Sequence, residues 1–213
     1  MERIQDRPTK RVILASSSPR RIELLATTGL KFEVEPSRYS EEILPNSEPH
    51  DLARKNALAK AQAVAARNRD AIVIGADTLG FLEGKVLGKP RTRDEAVEML
   101  HIMSGNCHSV VTGLSVVDSD TSRTVTESVE SKVCFKKLSA SQIEAYVSSG
   151  EPMDKAGAYA IQGLGSSLVD RIEGDYFNIV GLPLTVLGRI LRRFDVDPRV
   201  LERIGSISPV PHF

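Results

Sequence analysis

Residues 12–25 constrain the fold most, because this segment changes from one type of secondary structure to another within a few positions. A β-branched apolar run at 12–15 is followed by three serines and Pro19, and then by a helical pattern that begins with Arg20 and Arg21. Hydroxyl groups before a proline at the first helical position are typical of a helix start. The segment therefore predicts a strand–turn–helix unit.

The turn of this unit has the chemistry of a phosphate pocket. Its backbone N–H groups, the hydroxyl of Ser16 and the positive end of the helix can all face an anion. Arg20 and Arg21 can add paired hydrogen bonds to phosphate oxygens. The same residues are also typical of a capped surface helix with solvated arginines, so the turn alone leaves both interpretations open.

Strand-like and helical stretches alternate along the rest of the chain. Strands are predicted at 12–15, 32–36, 71–76, 109–117 and 124–135. Helices are predicted at 51–67, 92–103, 143–149 and 183–193, and a tight hairpin at 82–86 with Gly84 in its turn. Together with a long hairpin around 119–120, this order predicts an α/β protein with a mixed, twisted sheet flanked by helices.

Composition narrows the class of protein. The 213 residues contain no linker-like stretch, which predicts one domain over residues 1–195 and a polar C-terminal tail over residues 196–213. Lys+Arg and Asp+Glu are both 28 and tryptophan is absent, which argues against a nucleic-acid partner. The apolar run at 12–15 is too short for a secretion signal or a membrane span, so we expect no membrane partner and a reducing, cytoplasmic location.

The cysteines and histidines give no signal for a metal or disulfide site. Cys107 and Cys134 lie in strand-like runs, and we expect them to be buried free thiols. The four histidines lack metal-ligand spacing and are expected to have structural or surface roles.

Three further positions carry chemistry that suits a nucleotide. Asp77 follows a continuous apolar run and is expected at the carboxyl end of a strand, where it could hold a divalent metal or orient a water. Lys89 stands between a glycine and a proline and can pair with phosphate. Gln162, in the long loop 151–163, offers both a donor and an acceptor to a nucleobase edge. Each residue alone is also compatible with a structural role.

These motifs together resemble one family. They are LASSSPRR at 14–21, GADT at 75–78, GKP at 88–90, SG at 104–105 with His108, DKAGAY at 154–159 and IQG at 161–163. In this order, and spread over about residues 12–193, they are similar to the motifs of the Maf family. The resemblance implies a nucleoside triphosphate pyrophosphatase that cleaves between the α- and β-phosphates. It also implies a fold akin to that of the inosine triphosphatases with a central cleft, a divalent metal (Mg²⁺ or Mn²⁺) and a homodimer.

The resemblance also implies the site residues. By position, Ser16, Arg20 and Arg21 match the phosphate-binding turn of the family, Asp77 its catalytic acid and Lys89 its Gly-Lys-Pro lysine. Asp77 and the active-site glutamate would hold the metal and orient or deprotonate the attacking water.

Two of the implied positions have competing assignments. The active-site glutamate matches Glu41, with Glu42 as the alternative in a divergent loop. The helical lysine, which is expected to bind the phosphates together with Arg20, Arg21 and Lys89, matches Lys60 by its spacing to Asp77, with Lys55 in a competing register.

The residues at the discriminating positions favour one substrate class. Members of the family that act on dTTP and UTP resemble this chain in having Arg20, Thr78 and Gln162 there. An amide can match the mixed donor and acceptor edge of thymine or uracil, whereas an ionised acid only accepts hydrogen bonds. Two alternatives stay open at this point: a phosphatase that releases orthophosphate, and a nucleotide-binding regulator of cell division with little catalysis.

Overall fold

The computed structural model describes residues 10–41 and 47–196. The predicted tail 196–213 lies outside the described residues except for Val196, and so does Glu42. Among the described residues, no helix is long and apolar enough to cross a membrane.

The order of elements confirms the predicted alternation of strands and helices. The strands are β1 (Arg11–Leu14), β2 (Glu33–Val34), β3 (Ala71–Leu82), β4 (Lys85–Leu87), β5 (Cys107–Asp118), β6 (Thr124–Phe135) and β7 (Val169–Glu173). The α-helices are α1 (Pro19–Thr27), α2 (Pro49–Ala65), α3 (Arg93–Met103), α4 (Ala140–Ser148), α5 (Tyr176–Val180) and α6 (Leu184–Arg192). The short elements β7 and α5 were not predicted, because neither is long enough to show a period in the sequence.

All of these strands form one mixed sheet. Its order is β2-β1-β3-β5-β6-β7, and β4 pairs with β3. β2 and β3 run parallel to β1, whereas the other neighbouring pairs are antiparallel. The predicted mixed sheet flanked by helices is therefore confirmed.

The two faces of the sheet are covered by different helices. Alternate residues of a strand point to opposite faces. Leu14 and Ile74 pack into the apolar cluster that contains residues of α1 and α6, whereas Ile13 and Val73 pack with residues of α2. Even-numbered residues of this part of β3 therefore face α1 and α6, and odd-numbered residues face α2.

Two glycines let α2 approach the sheet unusually closely. A Cβ atom on Gly75 of β3 would lie 2.3 Å from the carbonyl oxygen of Ala57, and one on Gly113 of β5 would lie 2.1 Å from that of Ala53. No side chain fits in these places, so the helix backbone rests directly on the strands. The alanines at every fourth position of α2 complete this contact.

The long hairpin β5–β6 corrects the prediction of free thiols. Cys107 and Cys134 are directly opposite each other in the antiparallel register and form a disulfide. The sequence places them 27 residues apart, and only the pairing of the two strands brings them together. The prediction that both are buried thiols was therefore wrong, and Cys107 is in addition exposed.

The length of β3 corrects a second prediction. The strand does not end before Asp77 but continues to Leu82, because its antiparallel pairing with β5 extends from Ile72 to Phe81. Asp77 thus lies in the interior of a strand. The pairing of β3 with β1 ends at Ile74, and the pairing with β4 starts at Gly80. On this edge, residues 75–79 have no strand partner among the described residues.

Candidate active site

The unpaired stretch of β3 forms one wall of a cavity of about 220 Å³. β1 ends beside this stretch, and the turn that leads into α1 closes the cavity on that side. Because the edge of β3 is open here, side chains from both faces of the strand reach the same space. Asp77 and Thr78, which are neighbours in sequence, both line it.

On the α2 face, a lysine joins two carboxylates. Lys60 Nζ donates to Asp77 Oδ1 at 2.7 Å and to Glu41 Oε1 at 2.6 Å. Asn56, one helical turn before Lys60, donates its Nδ2 to Asp77 Oδ2 at 2.9 Å. Both oxygens of the buried Asp77 therefore accept a hydrogen bond from α2. Lys55 is exposed, so the structure brings Lys60, and not Lys55, to Asp77.

Glu41 differs from Asp77 in its exposure. Its side chain is 52% exposed, whereas that of Asp77 is 3% exposed. Partial burial works to raise the pKa of Glu41, but the hydrogen bond and charge of Lys60 and the charge of Arg21 hold it below its ordinary value. The site therefore offers one buried and one accessible carboxylate.

These two carboxylates fit a divalent metal of the magnesium type. They converge on one cationic atom, which shows that a positive charge is accommodated between them. Mg²⁺ is usually bound by one or two carboxylates together with substrate phosphates and waters, and does not need a complete cage of protein ligands. Among the described residues no group of three or more His, Cys, Asp or Glu could hold a metal ion.

On the opposite face of β3, Arg21 points into the cavity from α1. Its Nε donates to the carbonyl oxygen of Gly181 at 2.8 Å, and its Nη2 donates to Thr78 Oγ1 at 2.9 Å. Burial lowers the pKa of Arg21, while the charges of Asp77 and Glu41 raise it and that of Arg20 lowers it again. A bound anion would stabilise this partly desolvated cation.

Three further cations line the cavity. Arg20 and Lys89 are at its mouth, and neither forms a hydrogen bond or ion pair with a described residue. Lys155 also lines the cavity. The cavity is thus lined both by cations and by the carboxylates of Asp77 and Glu41.

Two backbone N–H groups of the serine turn, which were expected to face an anion, are bonded within the turn instead. The N–H of Ser16 is bonded to the carbonyl oxygen of Leu14 at 2.9 Å, and the N–H of Ser18 to Ser16 Oγ at 3.1 Å. These two N–H groups are therefore used inside the turn. Ser16 is buried and is not part of the cavity lining, whereas Ser18 is. A hydrogen bond from Ser16 to a phosphate stays a prediction.

The loop that carries Gln162 is held in place by hydrogen bonds to Glu151. Glu151 accepts hydrogen bonds from the N–H groups of Leu164 and Gly165 and from the hydroxyl of Tyr146, at 3.1, 2.8 and 2.8 Å. Ile161 lines the cavity, whereas the next residue, Gln162, is exposed and is not part of the lining. The role of Gln162 in reading a base stays a prediction.

Two residues of the cavity lining belong to a buried cluster of three aromatic rings. His108 Nε2 is 3.0 Å from the hydroxyl of Tyr159, and both rings pack against Phe135. Burial lowers the pKa of His108 to about 4, so its imidazole is neutral at ordinary pH. His108 is part of the cavity lining, and the structural or surface role expected for it stays a prediction.

A second, larger cavity of about 850 Å³ lies at the other end of β1, where Lys10, Arg11 and Asp118 are among its lining residues. It contains none of the predicted site residues. The smaller cavity is the candidate site because Asp77, Glu41, Arg20, Arg21 and Lys89 all line it.

Comparison with known proteins identifies the class to which this fold and site belong. The family model described as "Maf-like protein" matches residues 11–194. The chain belongs to the Maf family, as its motifs predicted.

Particular relatives are close over most of their length. A protein of Moorella thermoacetica named dTTP/UTP pyrophosphatase is 50% identical over 187 residues, which cover 88% of this chain and 96% of that protein. A protein of Bacillus cereus with the same name is 47% identical over 188 residues, which cover 88% of this chain and 97% of that one.

Solved structures give a looser likeness. A HAM1 protein of Coxiella burnetii is 13% identical with a TM-score of 0.47, covering 93% of this chain and 98% of that one. The Ham1 protein of Staphylococcus aureus is 18% identical with a TM-score of 0.41, covering 60% and 73%. The family assignment rests on the sequence matches alone.

Three residues in or next to the site were not predicted from the sequence. Asn56 bonds to Asp77, Thr112 bonds to Thr78, and the carbonyl oxygen of Asn178 accepts a hydrogen bond from Thr112. Asn56 could have been found, because it precedes Lys60 by four positions and therefore shares its helix face. Thr112 and Asn178 gave no local signal, since their contacts depend on strand pairing and on the packing of α5.

Proposed function

We propose that this protein is a nucleoside triphosphate pyrophosphatase that hydrolyses dTTP and UTP to the monophosphate and pyrophosphate, and so removes unwanted nucleotides from the cellular pool. The observation that carries the proposal is the cavity itself. Arg20, Arg21 and Lys89 line it together with the carboxylates of Asp77 and Glu41. The names of the 47–50% identical relatives support the same activity.

The proposed mechanism divides the work between the two faces of β3. Arg21, Arg20 and Lys89 bind the phosphate chain and neutralise its charge, and Ser16 donates a hydrogen bond to it. Asp77 and Glu41 would hold Mg²⁺ or Mn²⁺, which when bound polarises the phosphoryl oxygens and lowers the pKa of a water.

Lys60 and Asn56 fix the direction of the Asp77 carboxylate. In this arrangement Asp77 orients the attacking water toward the α-phosphorus, or accepts its proton, while the cations stabilise the leaving pyrophosphate. The exposed Glu41 is the carboxylate that the incoming substrate meets first.

The finer features implied by the family resemblance belong to the same proposal. Gln162 would select thymine or uracil through its mixed donor and acceptor edge. The protein would act in the cytoplasm as a homodimer, with one catalytic domain over residues 1–195 and without a nucleic-acid or membrane partner. Sedimentation of the full chain tests the oligomeric state.

Phosphorus NMR of the products tests the reaction. With dTTP or UTP and Mg²⁺, we expect the monophosphate and pyrophosphate to form in equal amounts, and a chelator to stop the reaction. Orthophosphate and the diphosphate as first products would instead identify a phosphatase. Absence of turnover with either metal, despite tight nucleotide binding, would identify a regulator.

A further inference from the structure

A line of hydrogen bonds runs from Arg21 into the core. Arg21 Nη2 is 2.9 Å from Thr78 Oγ1, which is 2.9 Å from Thr112 Oγ1, which is in turn 2.9 Å from the carbonyl oxygen of Asn178. Thr78 and Thr112 are directly opposite each other on β3 and β5. Thr112 and Asn178 are fully buried. The line therefore connects a cation in the cavity with atoms that solvent does not reach.

The chemistry of the two ends fixes the direction of every hydrogen bond. A guanidinium can only donate and a backbone carbonyl can only accept. Thr112 must therefore give its single proton to Asn178, and so accepts the proton of Thr78. Thr78 in turn accepts from Arg21. Its hydroxyl proton is committed, and it has none to donate to a nucleobase.

The inner end of the line is anchored to the sheet. Asn178 Nδ2 donates to the carbonyl oxygen of Val110 at 3.0 Å and to Ser131 Oγ at 2.9 Å. Ser131 Oγ in turn donates to the carbonyl oxygen of Asp175 at 3.0 Å, and it accepts a hydrogen bond from the backbone N–H of Asp175. α5 is thereby fastened to β5 and β6, and the carbonyl that ends the line has a fixed position.

A glycine completes the support of Arg21. Gly181 accepts from Arg21 Nε, and a Cβ on it would lie 3.2 Å from Thr78 Oγ1 and 3.3 Å from Arg21 Nε. Its φ of +121° also favours glycine. Two of the five N–H groups of Arg21 are thus used to set the plane of the guanidinium, and the others remain for an anion.

We propose that Thr112 is a positioning residue that aligns Arg21 for the phosphates through Thr78, and that Thr78 acts on the phosphate end of the substrate and not on its base. This inference rests on the proposed function, because it assigns Arg21 to a triphosphate. It gives Thr78, one of the discriminating positions of the family, a task without contact to the nucleobase.

Binding of inorganic tripolyphosphate without added metal tests this inference independently of catalysis. Thr112→Val keeps the shape but removes the hydroxyl, and we expect it to weaken binding about fivefold, the scale of one hydrogen bond between uncharged groups. Thr112→Ser keeps the hydroxyl and should bind within about twofold of the wild type. Calorimetry gives the affinities, and thermal unfolding checks that the variants fold.

A spectroscopic measurement follows Arg21 directly. We expect the Nη2–H signal of its guanidinium, which donates to Thr78 and is assigned by its loss in Arg21→Lys, to exchange faster with water in Thr112→Val and to be unchanged in Thr112→Ser. Thr78→Val should behave like Thr112→Val, since it removes the same support from the exposed end of the line. This second variant keeps the test valid if the buried substitution fails to fold.

The turnover of several nucleotides separates the two possible roles of Thr78. We expect Thr78→Val to reduce kcat/KM for dTTP, UTP and GTP by the same factor, so that their ratio stays constant. A changed ratio, unaltered tripolyphosphate binding in both valine variants, or equal losses in Thr112→Ser and Thr112→Val would overturn the inference. If the wild type bound tripolyphosphate in this way but hydrolysed no nucleotide, only the proposed function would fail.

Discussion

The carboxylate of Asp77 is held in a fixed orientation by its hydrogen bonds. Its two oxygens accept hydrogen bonds from Lys60 and Asn56, which are both on α2. A buried carboxylate held in this way has one orientation, and a group that orients water must have one. The position of Lys60 is therefore important for direction as well as for charge.

The first prediction at this scale concerns the charge of Asp77. Asp77→Asn keeps the shape of the side chain but removes the group that holds metal and water, so we expect the fold to persist and kcat for dTTP to fall at least ~10²-fold. Steady-state kinetics and thermal unfolding measure the two effects. Asp170→Asn, at an exposed position outside the cavity lining, serves as the matched control. Near-normal turnover of Asp77→Asn would remove this residue from the mechanism.

The second prediction concerns base selection. Gln162→Glu replaces a mixed donor and acceptor by an acceptor, so we expect kcat/KM for dTTP and UTP to fall relative to that for GTP. Gln62→Glu, an exposed position on α2, is the control for the added negative charge. A preference that stays the same would show that another residue reads the base.

Single positions of the site could be predicted only where the pattern was local. The serines, Pro19 and the two arginines follow one another in the chain, and the structure places them at the start of α1 as expected. The contact of Lys60 with Asp77 joins residues 17 positions apart. The family spacing indicated Lys60 as a phosphate-binding residue, and its contact with Asp77 was not predicted. The Thr112 line of hydrogen bonds was not predictable, since its members are on four separate elements.

At the scale of elements, β3 shows why strand ends are difficult to predict. The apolar run stops before Asp77, which suggested the end of the strand. The strand continues because β5 supplies an antiparallel partner as far as Ser109, and polar residues are tolerated where one edge of the strand faces a cavity. A sequence pattern reports burial and contains no information about the partner strand.

The contact between α2 and the sheet gives a third prediction. Gly113→Ala would place a Cβ 2.1 Å from the carbonyl oxygen of Ala53 and push the helix away. We expect a loss of stability of about 3 kcal/mol, within the range for overpacking, together with a lower kcat because Lys60 moves with the helix. Gly88→Ala, which meets no atom within 4 Å, should leave the melting temperature unchanged. An unchanged melting temperature in Gly113→Ala would contradict the close contact.

The buried histidine of β5 gives a fourth prediction. The pKa of His108 is about 4 in the folded protein and 6.5 ordinarily, so the unfolded chain takes up this proton first. Its contribution to stability is therefore complete above about pH 6.5 and declines as the pH falls toward 4. Urea unfolding between these pH values measures the effect, which His108→Gln should reduce and His101→Gln, at an exposed position, should not. Equal slopes in all three proteins would contradict it.

For the whole molecule, composition was informative about class but misleading about the cysteines. Two cysteines in a chain of this size are usually free thiols, and their spacing suggested nothing else. The register of β5 and β6 makes Cys107 and Cys134 opposite neighbours. Pairing of this kind depends on the fold of the whole hairpin and is not visible in spacing.

The disulfide gives the fifth prediction. The two cysteines of the disulfide are 27 residues apart, and reducing the bond raises the conformational entropy of the unfolded chain. Reduction should therefore lower the free energy of unfolding by roughly 3 kcal/mol. We expect a reductant to lower the melting temperature of the wild type but not that of Cys107→Ser/Cys134→Ser. Identical melting curves with and without reductant would show that the bond contributes nothing to stability.

The contact of α2 with Gly75 and Gly113 also limits how the substrate range can be altered by design. At these two glycines the backbone of α2 lies directly on the strands, so no side chain between the helix and the sheet can be shortened to let the helix move. A variant that accepts a larger base must therefore gain its space at other lining residues, and Leu87, Tyr159 and Ile161 have side chains that can be shortened.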